Sequence, residues 1–518
     1  MFDLAVKIPK LYQNPIWNYL CGRTGNDVLF ECKGKKYTAS WLKHKSLQLA
    51  ISLQKSGVKR ADEIVMAIPP GPEFMMIFFA CSLLRVRIAL VDPHMGIAHY
   101  ESMIHQLSPK WVFIDSRLVF LQEHPLVRKI YLRWNKRPVY FPKIKDCRKI
   151  VCGMRLPLFT SHLKLNNLLK SVNLEVDPES DPGDEEFLIV YTSGTLAQPK
   201  GVVHSFASLS NSIQTMLGTF PTLNGKAIAT HLPHFVLLGI RAGMQVHIWE
   251  ETWSSKKRWN YVHEHQIQVL FGPPAEWLPL INYCKSQGKK LPDSLVYLLL
   301  GSAPVYPSFI QKVLDSTTPP FDITCIYGMT EHLLIAHADG DKVLNYKGEG
   351  TFVGKLFDGV NIKLDKDGEI EVQSDQLFKR YLHLSEGIKP HPTGDLGSWQ
   401  NGNLCITGRK KNMIIRKNSN IYPELYEPTI LSIPGIHDAA LGSYYDQNIE
   451  DEKIVLVLEA DHVLSDEKIK QLLSSEKHKI HPDAMPDYIM RMKIPRSGRQ
   501  LKINREVLQK EIQCRIKS

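Results

Sequence analysis

The chain has no CxxC pair, no histidine spaced to complete a metal set with its cysteines, no internal repeat and no low-complexity tract. Its nine cysteines (Cys21, Cys32, Cys81, Cys147, Cys152, Cys284, Cys325, Cys405 and Cys514) are scattered and odd in number. That pattern argues against a disulfide framework and against structural zinc, and for reduced thiols in a cytoplasmic setting. Long apolar runs are also missing. The most apolar stretch, FMMIFFACSLL (74–84), has Arg85 and Arg87 close behind it and is too short to span a bilayer, so it reads as a buried helix. The first residues, MFDLAVKIPKLYQNPIW, lack the basic-then-apolar layout of a signal peptide. Acid is scarce in one place. From Arg128 to Lys170, Asp146 is the lone acidic residue among Lys129, Arg133, Lys136, Arg137, Lys143, Lys145, Arg148, Lys149, Arg155 and Lys164, with Tyr131, Trp134, Tyr140 and Phe141 interleaved. This segment reads as a solvated, twisted hairpin surface, or as a docking face for an anionic membrane or acidic carrier. No nucleic-acid-binding signature accompanies it, so a nucleic-acid partner is not expected.

What is present is ample apolar material: 43% hydrophobic residues in a chain of 518, too long for one core, so two or more domains are expected. The formal charge of +11 favours anionic partners such as nucleotides or headgroups without choosing between them. Short β-rich runs alternate with amphipathic ones: EIVMAI (63–68), a helical 72–84, RIALVD (87–92), a helical 97–107 and KWVFID (110–115). A second series follows, with EFLIVYTSG (186–194), a helical HSFASLSNSIQTML (204–217), KAIATHLP (226–233), QVLFGPP (268–274), LVYLLLGSA (295–303) and ITCIYG (323–328). The rhythm predicts an α/β fold built on parallel sheets. Several of these strands end in Gly, Ser or Pro, and ligand sites in such sheets lie at the strands' carboxyl ends. From about 345 to 408 the texture becomes β-rich, and NIKLDKDGEIEVQ (361–373) carries an Asp-Gly hairpin signal. We expect a domain boundary near 409–411, with a large domain over 1–408 and a small α+β lid over 409–518.

The segment YTSGTLAQPKGVVHS (191–205) collects hydroxyls, glycine and one lysine between an apolar run and a helical run. It reads as strand, phosphate loop, helix. Thr192, Ser193 and Thr195 offer hydroxyls, Gly194 permits close backbone approach, and Lys200 supplies a point charge. Gly201 and Val202 after Lys200 break the Walker pattern.

At this point the chain resembles the adenylate-forming superfamily of acyl-CoA synthetases, luciferases and nonribosomal adenylation domains, whose phosphate loop has the form [YF]TSGTTGxPKG. The resemblance spans nearly the whole chain, with motifs in family order: GPPAEWLPLI (272–281), GSAPVYP (301–307), IYGMTEH (326–332), TGDLGSW (393–399), GRKKNMIIRKNSNIYPELYE (408–427) and KIPRSGRQLKINREVL (493–508). It implies ATP and Mg²⁺ as cofactors, CoA or carrier pantetheine as co-substrate, and a fatty or related carboxylic acid as substrate. Thr192, Ser193, Thr195 and Lys200 would grip the β- and γ-phosphates. Tyr327 would face adenine, Thr330 would bond the α-phosphate, and Glu331 would hold the magnesium. Gly301, Ser302 and Ala303 would let adenine approach the backbone. Asp395 would accept the ribose hydroxyls, with Arg409 beside it. Lys411 would be the hinge, and Lys502 the lysine that stabilises charge building on the attacking and bridging oxygens.

Several residues depart from the family pattern. Leu196–Ala197 replace Thr–Gly, Leu501 replaces glycine before Lys502, and Asn418 stands where thioester-forming relatives have glycine beside the pantetheine tunnel. In HLPHFVLLGIRAG (231–243), Val236 takes the place of a family histidine, and His234 lies two residues before it. The apolar FVLLGI implies an aliphatic acyl pocket. That run and LVDPHMG (90–96) are similar to the β-lactone synthetase branch, so closure of a β-hydroxy acid through its adenylate is one alternative ending. A nucleotide-binding scaffold without turnover is another.

Overall fold

The structure is a computed structural model. It describes all residues except 1–10, 92–102, 108, 135–143, 145–146, 155, 157–161, 170–177, 181–182, 193–199, 388, 417–418, 447–450, 462–463, 476–477, 479, 498–500 and 518. Two large sheets carry residues up to Arg409. In the eight-stranded sheet, Glu63–Ala67 lies between Arg87–Leu90 and Trp111–Asp115, and Arg148–Cys152 follows outward, all parallel. Glu186–Thr192 joins this sheet, parallel to Arg87–Leu90, rather than opening the second series. FMMIFFACSLL forms the body of helix Pro72–Leu84 and is buried from Phe74 to Leu84. A helix apolar on every side needs cover on every side, and it lies within the largest apolar core.

The thirteen-stranded sheet is parallel from Val28–Cys32 through Gln245–Ile248, Ala227–Thr230, Val269–Gly272 and Tyr297–Leu300 to Asp322–Met329. It then continues antiparallel through His332–Asp339, Thr351–Leu356, Asn403–Arg409 and His391–Gln400 to the hairpin Asn361–Leu364/Glu369–Gln373. The β-rich stretch is thus hydrogen-bonded onto the same sheet. Past Arg409 the sheets are small: Ile436–Asp446, Asp451–Ala460 and Tyr488–Arg491 form one, with two-stranded pairs Ile414–Arg416/Ser419–Ile421 and Arg496–Ser497/Lys502–Ile503. The two apolar cores of this part draw only on residues from Ile414 onward.

Two local expectations are corrected. The phosphate loop does not run from strand to helix. Lys200–Ser205 is itself a strand, antiparallel to Glu186–Thr192, with Thr192 opposite Lys200. Val202 and Val203 are fully buried in that ladder, as β-branched residues favour. The helix waits until Phe206, where Ser205 and Ser208 form a reciprocal capping box. The strand that follows residues 193–199 therefore pairs back on the strand before them, and no helix begins directly after Lys200. The basic segment is likewise not a hairpin over its described part. Pro125–Trp134 is a helix, and Arg148–Cys152 is a strand parallel to its neighbour.

Candidate active site

Asp395 and Arg409 face each other as register partners on adjacent antiparallel strands. Gly394 before Asp395 has φ +75, a turn that glycine makes without cost, and its amide donates to Glu369. Arg409 Nε lies 2.6 Å from Asp395 Oδ1 but off the hydrogen-bond line, so this buried oxygen has no aligned donor. Tyr327 donates its hydroxyl to Oδ2 at 2.8 Å. A carboxylate 3% exposed with one unfilled acceptor fits a ribose hydroxyl. The carboxylate holds the Arg409 guanidinium even more firmly protonated than usual, whereas burial, with Asp395 alongside, pushes the Tyr327 phenol well up.

Tyr327 lies near the end of the strand Asp322–Met329, whose neighbour Tyr297–Leu300 runs into Gly301, Ser302 and Ala303. A side chain at Gly301 would sit 3.3 Å from the Ile326 carbonyl and against Phe271. Ser302 holds φ +67, an uncommon conformation for a residue with a side chain. Beyond Tyr327 the chain turns tightly. A Cβ at Gly328 would lie 2.0 Å from the Leu333 carbonyl oxygen, so only glycine fits there.

Glu331 is 6% exposed. Its backbone carbonyl accepts from the Phe378 amide (2.9 Å), and Oε1 accepts the Tyr381 hydroxyl (2.8 Å). Behind it, His204 Nε2 donates to the Thr330 carbonyl at 2.7 Å, and His332 pairs with Ser374. Burial drives His204, His332 and His391 down to about 4, so all three stay neutral near pH 7. Oxygen donors on Glu331 and Thr330 suit Mg²⁺, which takes one or two carboxylates and completes its shell with water and phosphate.

Tyr381 also touches the phosphate-loop hairpin. It pairs with Val202 across the strands, and Lys200 Nζ stands 5.0 Å from its ring centroid. One tyrosine thus holds the glutamate through its hydroxyl and the lysine through its ring. Sequence reading missed this residue, and no local signal marks it, because it lies fifty positions from Glu331. Ser193, Gly194 and Thr195, with Leu196 and Ala197, fall outside the described residues, as does Asn418. The described part of Thr192 is its backbone, at the end of its strand.

Lys502 enters from the C-terminal part on the two-residue strand Lys502–Ile503. Its side chain is exposed to solvent, yet other protein groups crowd it. Loss of hydration, then the charges of Arg409 and Lys411, push its ammonium down to about 8, while Asp395 and Glu331 pull the other way. The same crowding, with Arg409, lowers Lys411. Glu331, Asp395, Arg409 and Lys411 therefore all lie within electrostatic reach of Lys502. The Lys502 segment is anchored by Arg505, which bonds Glu427 Oε2 at 2.7 Å, with Glu427 only 2% exposed.

At the acyl side, Val236 is fully buried in the core and does not open onto the cleft. His234 is exposed, its ring 4.8 Å from Phe235, and Phe235 stacks on Phe271 at 3.9 Å. Phe271 also borders Gly301, so this aromatic pair sits beside the proposed adenine position. Glu276, in GPPAEWLPLI, is raised to about 7 by burial despite Arg258 at 3.1 Å, and His231 lies 3.5 Å away.

Comparison with known proteins places the chain among CoA ligases and structures of that fold. The 2-succinylbenzoate–CoA ligase of Bacillus licheniformis is 24% identical over 433 residues, covering 80% of this chain and 82% of that protein. The medium-chain fatty-acid–CoA ligase of Escherichia coli K12 is 24% identical over 521 residues, covering 93% and 87%. Among solved structures, the o-succinylbenzoate coenzyme A synthetase of Bacillus subtilis in complex with ATP and magnesium superposes with a TM-score of 0.75 at 18% identity, over 95% of this chain and 99% of that one. The family model described as AMP-binding enzyme matches residues 20–382, well over half of the sequence and the span that holds the hairpin, Glu331 and Tyr381. The chain belongs to the AMP-binding enzyme family.

Proposed function

We propose that this protein is an AMP-forming acid–thiol ligase that activates a fatty or related carboxylic acid with ATP and passes the acyl group to CoA. The observation that carries the reading is the shared electrostatic neighbourhood of Glu331, Asp395 and Lys502, contributed by three separate parts of the chain. In the first half-reaction a carboxylate oxygen attacks the α-phosphorus and pyrophosphate leaves. Magnesium, when bound at Glu331, would neutralise phosphate charge. Asp395, through its unfilled Oδ1, and Arg409 orient the ribose, and Tyr327 faces adenine. Thr330 bonds the α-phosphate, and Thr192, Ser193, Thr195 and Lys200 hold the departing phosphates. Lys502 donates to the entering and bridging oxygens, where negative charge grows. Residues 409–518 act as a lid, and rotation about Lys411 withdraws Lys502 so that the thiol can displace AMP.

The test is pyrophosphate release from ATP and Mg²⁺ over a panel of carboxylic acids, followed by product masses with and without CoA. Release with a CoA-dependent thioester is expected; no pyrophosphate from any acid would falsify the ligase reading.

The helix Pro125–Trp134 adds a finer point. Leu126 is 79% and Ile130 60% exposed, beside Arg128, Lys129 and Arg133. Apolar and cationic residues together suit weak attachment to an anionic membrane surface. Co-sedimentation with anionic vesicles at low salt, fading as salt rises, is expected. Equal recovery with neutral vesicles would count against it.

A further inference from the structure

The far edge of the thirteen-stranded sheet, away from Asp395 and Arg409, carries a cluster unrelated to the nucleotide cleft. Glu31 on Val28–Cys32 and His247 on Gln245–Ile248 are register partners in adjacent parallel strands, so their side chains leave the same face side by side. His265 arrives at the C-terminal end of helix Ser255–Glu264. One donor atom from each of the three lies within 4.8 Å of the others. We propose that Glu31, His247 and His265 form a binding site for a divalent transition metal of the zinc class.

Three observations carry this. First, Glu31 is 9% exposed and lies between His247 and Lys36, its register partners on the two neighbouring strands. His265 Nδ1 stands 3.8 Å from Oε1, too far for a hydrogen bond. A mostly buried carboxylate facing two imidazoles is a place where a cation held between them would be stabilised. Second, the imidazoles are already oriented. Tyr261 Oη lies 3.2 Å from His247 Nδ1, and the Tyr261 ring stacks on His265 at 3.9 Å. Such outer partners are the usual means of fixing metal-binding histidines. Third, two imidazoles and one carboxylate are a donor set that zinc takes, with water in the fourth place. Ligand distances of about 2.0–2.2 Å put tetrahedral donors roughly 3.4 Å apart. The cluster therefore needs only a side-chain contraction of about 1 Å, most easily at the half-exposed His265. Lys36, whose charge reaches His247, opposes binding and sets a limit on affinity.

The ligands come from positions 31, 247 and 265, so no sequence spacing announces them. A metal here would clip the last parallel strands of the sheet to the helix that covers them. It touches none of the groups assigned to adenylation.

The metal-free full chain is titrated with Zn²⁺ against a chromogenic chelator, and separately with Co²⁺ for its visible spectrum. One equivalent is expected, with Co²⁺ giving d–d bands but no thiolate charge transfer. Glu31→Gln and His265→Gln should each lower zinc affinity at least about tenfold, and Tyr261→Phe, which keeps the ring stack, about tenfold, since outer-partner losses typically cost 10–100-fold. Pyrophosphate release by these variants should stay at the wild-type level. Substoichiometric zinc, unchanged affinity in both Glu31→Gln and His265→Gln, or a thiolate band placing the metal on cysteine would each overturn the proposal.

Discussion

A lysine held near pH 8 gives the first half-reaction a pH limb that can be read. In the free enzyme, hydration loss and the Arg409 and Lys411 charges hold Lys502 at about 8. At pH 7 roughly nine-tenths of the molecules then carry the ammonium, and at pH 9 just under one-tenth, so kcat/KM for pyrophosphate release should fall about tenfold between them. Bound triphosphate adds negative charge beside the ammonium, so the kcat limb should lie at higher pH than the kcat/KM limb. Lys502→Arg keeps a cation that stays protonated past pH 12 and should erase the limb while lowering the rate. Lys502→Gln should cost on the order of 10²–10³ in adenylation rate but spare thiol transfer from a preformed acyl-adenylate. The assay is coupled pyrophosphate release from pH 6 to 9.5, with circular dichroism at each end to verify the fold. If the alkaline limb persists unchanged in Lys502→Arg, the titrating group is elsewhere and the role assigned to Lys502 is wrong.

Other perturbations test the support of the site. Tyr381→Phe removes the hydroxyl bonded to Glu331 Oε1 and leaves the ring beside Lys200, so it should weaken transition-state binding by about 1–3 kcal/mol and raise the Mg²⁺ needed for half-maximal rate; an unchanged magnesium dependence would show that the bond is incidental. His204, His332 and His391 are buried and neutral with values of about 4, below the unfolded value near 6.5, so the unfolded chain binds more protons between these limits and stability should drop as pH falls from about 6.5 to 4, by on the order of 2–3 kcal/mol for each histidine; urea unfolding at several pH values checks the sign. Arg505→Ala leaves Glu427 buried without its partner and should cost about 3–5 kcal/mol, visible as a lower melting temperature in the C-terminal part. Leu501 holds φ +50, so Leu501→Gly should relieve left-handed strain and gain up to about 1 kcal/mol; a loss of stability there would mean that the leucine side chain outweighs the backbone cost.

Much of the fold is written in local pattern. The buried helix at Pro72–Leu84, the parallel strands of both sheets and the hairpin around Asp365–Gly368 follow from periodicity and turn chemistry. The chain's own order hides which strands become neighbours. Glu186–Thr192 reads like the start of a second series, but its residues complete the first sheet. The strand Lys200–Ser205 was hidden because Gly201 and polar flanks broke its apolar run, and its identity depends on pairing with Arg380–Tyr381 far along the chain. Among site residues, motif-borne ones such as Asp395 and Glu331 are legible. Their supports Tyr381, His204 and Glu427 are defined by contacts across scores of residues, which one-dimensional spacing does not encode.

These supports also explain how a chain with an altered phosphate loop can keep a working site. The strands on either side of the loop are clamped in a β ladder, with Thr192 opposite Lys200, and the next helix does not begin until Phe206. Replacing Thr–Gly with Leu196–Ala197 then removes one hydroxyl and one flexible joint from the loop while leaving Lys200 where Tyr381 holds it. Binding energy lost at the γ-phosphate is loss from the group that departs with pyrophosphate. In the proposed mechanism, the charge that grows at the α-phosphate still meets Thr330 and Lys502. The departures at 196 and 197 should therefore raise the KM for ATP more than they lower kcat. Restoring Leu196→Thr and Ala197→Gly should lower that KM with kcat little changed, the signature of interactions made equally in ground and transition states.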